Sequence, residues 1–346
     1  MNSSKIFHSQ TQNNPNDPEN WQKELACGIS DIATLYQMLG LSLPNDVHAP
    51  KKFPLKVPTT FVAKMQYGNE NDPLLRQILP SSQEQQLVDG YTTDPLAENH
   101  HNPIKGLLHK YKNRVLLTVT GACAVHCRYC FRQHFDYSAN IPTKTVWDEI
   151  INYITNHQEL TEVLLSGGDP LSVSNRKLTD WFGTLSNIAH INTIRLHTRL
   201  PVVLPNRIDD ALLDLLTHTN KSVVMVLHIN HPNEIDDALK EKCRLLRQAG
   251  VTLLNQTVLL KGINDDVQTL CKLSHTLFEA GILPYYLHIL DKVQGAAHFD
   301  ISIEQAVSLY WQLLENLSGY LVPKLVQELP NRPYKTPVNI HQSRLT

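Results

Sequence analysis

The sequence predicts an α/β fold in which six parallel strands alternate with helices, as an open, partial (β/α)6 barrel behind a mostly helical N-terminal region. Three observations predict it. Short apolar runs alternate with helical periods through the second two-thirds of the chain. That order implies right-handed crossovers and a parallel sheet. Unusual polar residues stand where each run ends, as they do where barrel strands converge on one face. Six units are too few to close an eight-unit barrel, so a three-quarter barrel fits, with a doubly wound sheet as the alternative.

Taken in order, residues 1–20 are rich in Asn, Gln, Ser and Pro, the composition of a flexible arm. Helical periodicity starts near Trp21 and runs through Leu35 and Leu39 to Gly40, a natural stop. Proline-punctuated elements follow at 58–67 and 73–79, and 81–102 is polar and irregular. Residues 21–110 therefore read as mostly helical. From 111 to 320 the pattern changes. Strands are expected at 115–119, 161–166, 191–198, 222–229, 251–260 and 283–290. Helices are expected at 146–158, 176–189, 208–219, 234–249, 265–281 and 302–316. A short C-terminal segment, 321–346, completes the chain.

Composition excludes several classes. A chain of 346 residues can bury a large core, and 42% hydrophobic with 18% charged residues is ordinary for a soluble globule. A net charge of -2 gives no general pull toward nucleic acid or anionic membrane. No apolar run approaches bilayer length, and Met1–Lys5 lacks the apolar core of a secretion signal. Six cysteines in so long a chain do not make a disulfide framework, so a reducing, cytoplasmic location is expected. Cys27, Cys243 and Cys271 fall in helical-looking segments and are expected in the core.

The stretch Gly121-Ala-Cys-Ala-Val-His-Cys-Arg-Tyr-Cys-Phe-Arg132 places Cys123, Cys127 and Cys130 in the spacing C-x3-C-x2-C. Thiolates bind iron and zinc well. A structural zinc site takes four ligands, and His126 or His134 could be the fourth, but no second cysteine pair or H-x3-H pattern accompanies the loop. Three thiolates on a cubane iron–sulfur cluster leave one iron open for chemistry.

Each strand end offers further groups. Gly167-Gly168-Asp169 follows the second strand; the glycines either make a turn or let backbone approach a ligand. Arg195, His197 and Arg199 decorate the third. His228 and His231 follow the fourth, as hydrogen-bonded fillers or ligand contacts. Asn255 and Gln256 interrupt the fifth, as a core network or as lumen-facing groups. Asp291 ends the sixth. It and Glu328 sit among apolar residues, where a carboxylate needs either an internal cation or a ligand ammonium. Arg132, beside the last cysteine, offers a two-pronged donor face for a carboxylate. Lys335 lies between Pro333 and Pro337, which stiffen the backbone around a potential Schiff-base amine.

Together these residues resemble the lysine 2,3-aminomutase family of radical SAM enzymes. The match is closest to its short bacterial branch, which serves elongation factor P modification. The likeness runs from about Trp21 to Val338. It is strongest in the cysteine loop, Ser166-Gly-Gly-Asp-Pro-Leu, His228-Ile-Asn-His-Pro-Asn-Glu, Leu253-Leu-Asn-Gln-Thr-Val-Leu-Leu and Lys335-Thr-Pro-Val. It implies a partial, TIM-like radical SAM barrel with a short C-terminal extension. It also implies an isomerase that turns L-lysine into (R)-β-lysine by a SAM-derived radical and a 1,2-amino migration assisted by pyridoxal phosphate. In that reading Cys123, Cys127 and Cys130 hold a [4Fe–4S] cluster. S-adenosyl-L-methionine lies beside Gly167, Gly168, Asp169, His228 and Gln256. Pyridoxal 5′-phosphate sits on Lys335 with its phosphate at Arg114. Arg132 takes the substrate carboxylate, and Asp291 and Glu328 its side-chain ammonium. The implied partners are L-lysine, an unidentified electron donor, elongation factor P and its β-lysine ligase, with no nucleic acid or membrane. Two positions depart from the longer members: Glu328 stands where they have Asp, and Lys110 where they have Arg. Two readings compete: the same chemistry on another amino acid, and a zinc-stabilised protein without catalysis.

Overall fold

The computed structural model describes residues 20–43, 53–330 and 332–340. The arm expected at 1–20 lies outside them apart from Asn20, as do residues 341–346. Four short helices come first: α1 (Asn20–Ala26), α2 (Ile32–Leu39), α3 (Thr59–Val62) and α4 (Pro73–Arg76). The single helical period expected up to Gly40 is thus two helices. Between them Ile29 pairs with Val57 as an isolated bridge. Asp31 caps α2 by accepting the Thr34 N–H, and Gly40 stops it with φ 65°. Cys27 falls in this break and is exposed, against expectation, while Cys243 is buried as expected.

The barrel follows. Its strands are β1 (Leu107–Tyr111), β2 (Arg114–Thr120), β3 (Glu162–Gly167), β4 (Thr193–Thr198), β5 (Ser222–His228), β6 (Thr252–Val258), β7 (Leu283–His288), β8 (Lys324–Gln327) and β9 (Thr336–Pro337). Short helices α5 (Tyr137–Asn140) and α8 (Leu200–Val203) follow β2 and β4. The crossover helices are α6 (Lys144–Asn156), α7 (Asn175–Ser186), α9 (Asp210–His218), α10 (Asp237–Gln248), α11 (Val267–Glu279) and α12 (Ile303–Asn316). Each opens on a side chain that accepts a first-turn N–H: Thr143, Ser174, Asp209, Asp236, Asp266 and Ser302.

The strands stand in sequence order from β1 to β9. β2 to β8 run parallel, and β1 and β9 flank them antiparallel. This order has no reversal, so the doubly wound alternative, which needs one, is excluded. The six expected βα units are present. Three strands were not anticipated: β1, which begins inside the span read as helical, β8, a seventh parallel strand, and the two-residue β9.

β1 and β9 are the sheet's edges, and side chains span the opening between the first strand and the last. Lys110 Nζ and Tyr111 Oη, on β1, donate to Glu328 Oε1 at 2.6 and 2.9 Å. Lys335 Nζ, just before β9, donates to Glu328 Oε2 at 2.9 Å. The Glu328 side chain is only 7% exposed, so this carboxylate fastens both edges together.

Candidate active site

The cysteine loop leaves β2 and is held by the N-terminal region. The backbone N–H groups of His126 and Arg128 donate to the carbonyls of Lys56 and Gln77. The Arg128 side chain is fully buried, pairs with Glu84 and donates to the Phe53 carbonyl at 2.8 Å. Cys123, Cys127 and Cys130 are all free thiols. Burial pushes the Cys130 thiol up to about 12 and the Cys123 thiol well above its ordinary value, with neighbouring cysteines adding to both. A metal centre bound there would have to displace these protons, and its positive charge would take the place of the missing stabilisation of the thiolates. Neither candidate fourth ligand is turned to them. His126 Nδ1 bonds the Pro54 carbonyl with its ring stacked on Phe53, and His134 Nε2 bonds the Gln294 carbonyl. Among the described residues no three His, Cys, Asp or Glu side chains gather for a single ion.

Gly167 and Gly168 serve this loop directly. A Cβ on Gly168 would lie 2.4 Å from the Ala122 carbonyl oxygen, and one on Gly167 2.5 Å from that of Thr120. Gly167 also holds φ +118°, which side chains rarely adopt. The missing side chains thus let the end of β3 lie against the cysteine loop. Asp169 is buried and its carboxylate is fully engaged by the chain. It accepts the Leu171, Arg199 and Leu200 N–H groups and the Thr198 hydroxyl at 2.7–3.0 Å. Asp169 thus ties β3 to β4 through its side chain, and the backbone of this segment lies against the cysteine loop.

The lumen carries a second set. His228 ends β5, and its Nε2 lies 2.9 Å from Gln256 Nε2 on β6. Asn255 instead takes the core role, with its amide bonded to both backbone groups of Ile229 and to Thr257. His231 accepts the Asn233 N–H and turns the chain. His288 is buried and His197 half-buried, and no protein group among the described residues meets their buried Nε2 atoms. Burial lowers His228 to about 3 and holds His197 and His288 well below their ordinary value. These three imidazoles stay neutral at physiological pH, a polar wall without charge. The orphaned nitrogens fit a bound organic cofactor.

The ionic groups divide unexpectedly. Arg132 is buried, and its fork is filled: Nε and Nη2 donate to the two Glu98 oxygens at 2.8 and 2.6 Å. Glu328 is held by Lys110, Tyr111 and Lys335, which is the internal-cation alternative of the two the sequence left open; its apolar neighbours lie along the chain and its partners across the barrel opening. Asp291, just past β7, pairs with no cation among the described residues. Burial pushes its carboxyl up to about 7, against the pull of the nearby Lys335 ammonium. The Lys335 side chain is 24% exposed and its ammonium lies 5.7 Å from the Tyr286 ring centre. Arg114 opens β2 over the Tyr111 ring at 4.0 Å, and no carboxylate pairs with it among the described residues. Arg114 Nη1 donates to Asn113 Oδ1 at 3.1 Å. A guanidinium without a carboxylate partner, a partly buried amine and an aromatic face suit a phosphorylated pyridoxal ring.

Sequence reasoning gave no role to Glu98, Tyr111 or His288, and only noted Arg199 and His197 at a strand end. The alternation along β4 places His197 on a definite face, but nothing in it signals an empty nitrogen.

The Radical SAM superfamily profile matches residues 117–273, from β2 into α11. The chain is 46% identical to L-lysine 2,3-aminomutase of Escherichia coli over 340 residues, 97% of this chain and 98% of the relative. It is 48% identical to that of Haemophilus influenzae, covering 92% and 96%. The longer enzyme of Acetoanaerobium sticklandii is 34% identical, with 96% of this chain and 81% of the relative covered. With three free thiols ranged on one loop and an amine at the far edge of the same barrel, the chain belongs to the lysine 2,3-aminomutase family, isomerases that use a [4Fe–4S] cluster, S-adenosyl-L-methionine and pyridoxal 5′-phosphate.

Proposed function

We propose that this protein converts L-lysine to (R)-β-lysine in the cytoplasm and supplies that product for attachment to elongation factor P. The observation that carries the reading is Asp291, a half-buried carboxylate that pairs with no cation among the described residues, set close enough to Lys335 to feel its charge. An acid in that place selects a substrate with a side-chain ammonium, and it disfavours glutamate, whose own carboxylate it would repel.

The bound cluster, S-adenosyl-L-methionine and pyridoxal phosphate supply the radical and the nitrogen migration. The chain's share is positioning and exclusion of water. Cys123, Cys127 and Cys130 hold the cluster. The backbone of Gly167–Asp169, with His228 and Gln256, contacts S-adenosyl-L-methionine. Lys335 Nζ holds the pyridoxal aldehyde carbon and Arg114 its phosphate. Arg132 exchanges Glu98 for the substrate carboxylate. Asp291 takes the ammonium. Glu328 contributes Oε2 once Lys335 turns from it to the cofactor, while Lys110 and Tyr111 keep Oε1 in place.

The test is anaerobic reconstitution with iron, sulfide, both organic cofactors and a reductant, followed by separate turnover of lysine, arginine and glutamate. β-Lysine from lysine alone is expected. A colourless protein with one equivalent of zinc, or turnover only of another amino acid, would overturn the reading. Product that the β-lysine ligase cannot join to elongation factor P would remove the downstream link and leave the isomerase assignment standing.

A further inference from the structure

Arg199 is the first residue after β4. Its guanidinium is buried, with a side chain 5% exposed. Nη1 donates to Cys127 Sγ at 2.7 Å and to Tyr129 Oη at 2.6 Å. Nη2 donates to Gln77 Oε1 at 2.7 Å and to Glu234 Oε2 at 2.9 Å. Glu234 is fully buried, and its other oxygen accepts the N–H groups of Asn230 and His231 and the Gln77 amide. Neither member of this pair can swing away. Its backbone N–H is held by Asp169, so the guanidinium is fixed at both ends.

A buried ion pair adds little net stability compared with apolar packing of the same volume. This one ends on the sulfur of a cysteine that the preceding section assigns to the cluster. A cation and hydrogen-bond donor at a ligating sulfur draws electron density from it and stabilises the reduced cluster, which carries one more negative charge, more than the oxidised one. We infer that Arg199 acts through Cys127 to raise the cluster's reduction potential, and that Glu234 moderates this effect by its opposite charge. The step it governs is the gain of one electron by the cluster from an external low-potential one-electron donor, which is itself oxidised by one electron. The inference rests on the reading that Cys127 ligates the cluster.

The test is an anaerobic redox titration of the reconstituted full chain, with the reduced cluster followed by electron paramagnetic resonance. Arg199→Gln is expected to make reduction at least tenfold harder, a fall of about 59 mV for one electron. Arg199→Lys, which keeps the charge, is expected to recover part of that fall. Glu234→Gln, nearly isosteric, is expected to move the potential the opposite way. A general loosening of the fold would not move neighbouring variants in opposite directions. An unchanged potential in Arg199→Gln, or shifts of the same sign in the Arg199→Gln and Glu234→Gln proteins, would overturn the inference. Should Arg199→Gln not fold, Glu234→Gln decides alone: a raised potential supports it and any other result overturns it. Wild-type protein that binds no iron and sulfide would instead overturn the cluster assignment beneath it.

Discussion

Asp291 offers the most direct test of substrate choice, because its charge changes within an accessible pH range. Burial pushes its carboxyl up to about 7; Lys335 opposes this, and Glu328 and Glu98 add to it. The side-chain ammonium of lysine, with a pKa of about 10.4, stays charged from pH 6 to 8. The pocket therefore loses its anion as pH falls, while the ligand keeps its cation. About 0.9 of the carboxylates are ionised at pH 8 and about 0.1 at pH 6, so the ion pair's share of affinity falls about tenfold. The sign for stability is the reverse. The folded-state value lies above the unfolded one, so without ligand Asp291 destabilises the fold progressively as pH rises from about 4 through 7. The assay is equilibrium binding of L-lysine and of L-norleucine, which lacks the ammonium, to pyridoxal-loaded protein. Taking the ratio of the two dissociation constants cancels every pH effect at the shared α-amino and carboxylate groups. That preference for lysine should drop about tenfold between pH 8 and pH 6. In Asp291→Asn it should drop at pH 8 by about 30- to 700-fold, equivalent to about 2–4 kcal/mol, and become nearly flat with pH. A preference for lysine that neither pH nor the substitution changes would refute the assignment of Asp291 to the ammonium.

Three further outcomes follow from the same geometry. Lys335→Ala should lose the visible absorbance of bound pyridoxal yet keep its full iron and sulfide content; unchanged pyridoxal binding would remove Lys335 from its role. Glu328→Gln should cost about 3 kcal/mol in denaturant unfolding, because it leaves Lys110 and Lys335 without their shared buried anion. Burial raises the Glu328 carboxyl, but Lys335 and Lys110 more than reverse this and bring it below 4.5, so that stabilisation is present above pH 4.5 and lost as pH falls further; the variant should show a shallower acid limb. Gly168→Ala should abolish iron uptake on reconstitution, since its Cβ would lie 2.4 Å from the Ala122 oxygen and the cysteine loop would have to move. Gly183→Ala on α7, with no neighbour within 4 Å, is the matched control and should bind iron normally.

The barrel was legible wherever pattern and length agreed. Strands such as β3, with five successive buried residues after Glu162, show a continuous apolar run, and each crossover helix shows a capping residue and a 3.6-residue period. β8 has four residues after Pro323, too few for any period to show. β1 carries His109, Lys110 and Tyr111, so only its first two residues look like a buried strand. Both elements exist because a neighbouring strand offers a ladder, and that is tertiary information. The break between α1 and α2 has the same origin: Ile29 leaves the helical path to pair with Val57, 28 positions away.

In the site, residue type and strand face could be read, but the partner could not. Asp291 and Glu328 give the same signal, an acid within an apolar stretch. Glu328 meets three donors because the two edges of the open barrel come together there, whereas the Asp291 carboxylate meets none among the described residues. Arg132 announces a carboxylate site by its chemistry, yet the carboxylate it holds is Glu98, from a polar span without a helical or strand period. Which side chains face each other across a barrel depends on the tilt and stagger of every strand at once. That is why periodicity can place a residue in the lumen without saying whether its charge is already satisfied. The distinction matters for function: a charge already matched inside the chain gives a ligand little, and a charge left unmatched in a buried place favours a ligand of opposite sign. By that criterion the proposed ammonium site rests on Asp291, and Glu328 is the pin that joins the first barrel edge to Lys335, the lysine proposed to hold the pyridoxal.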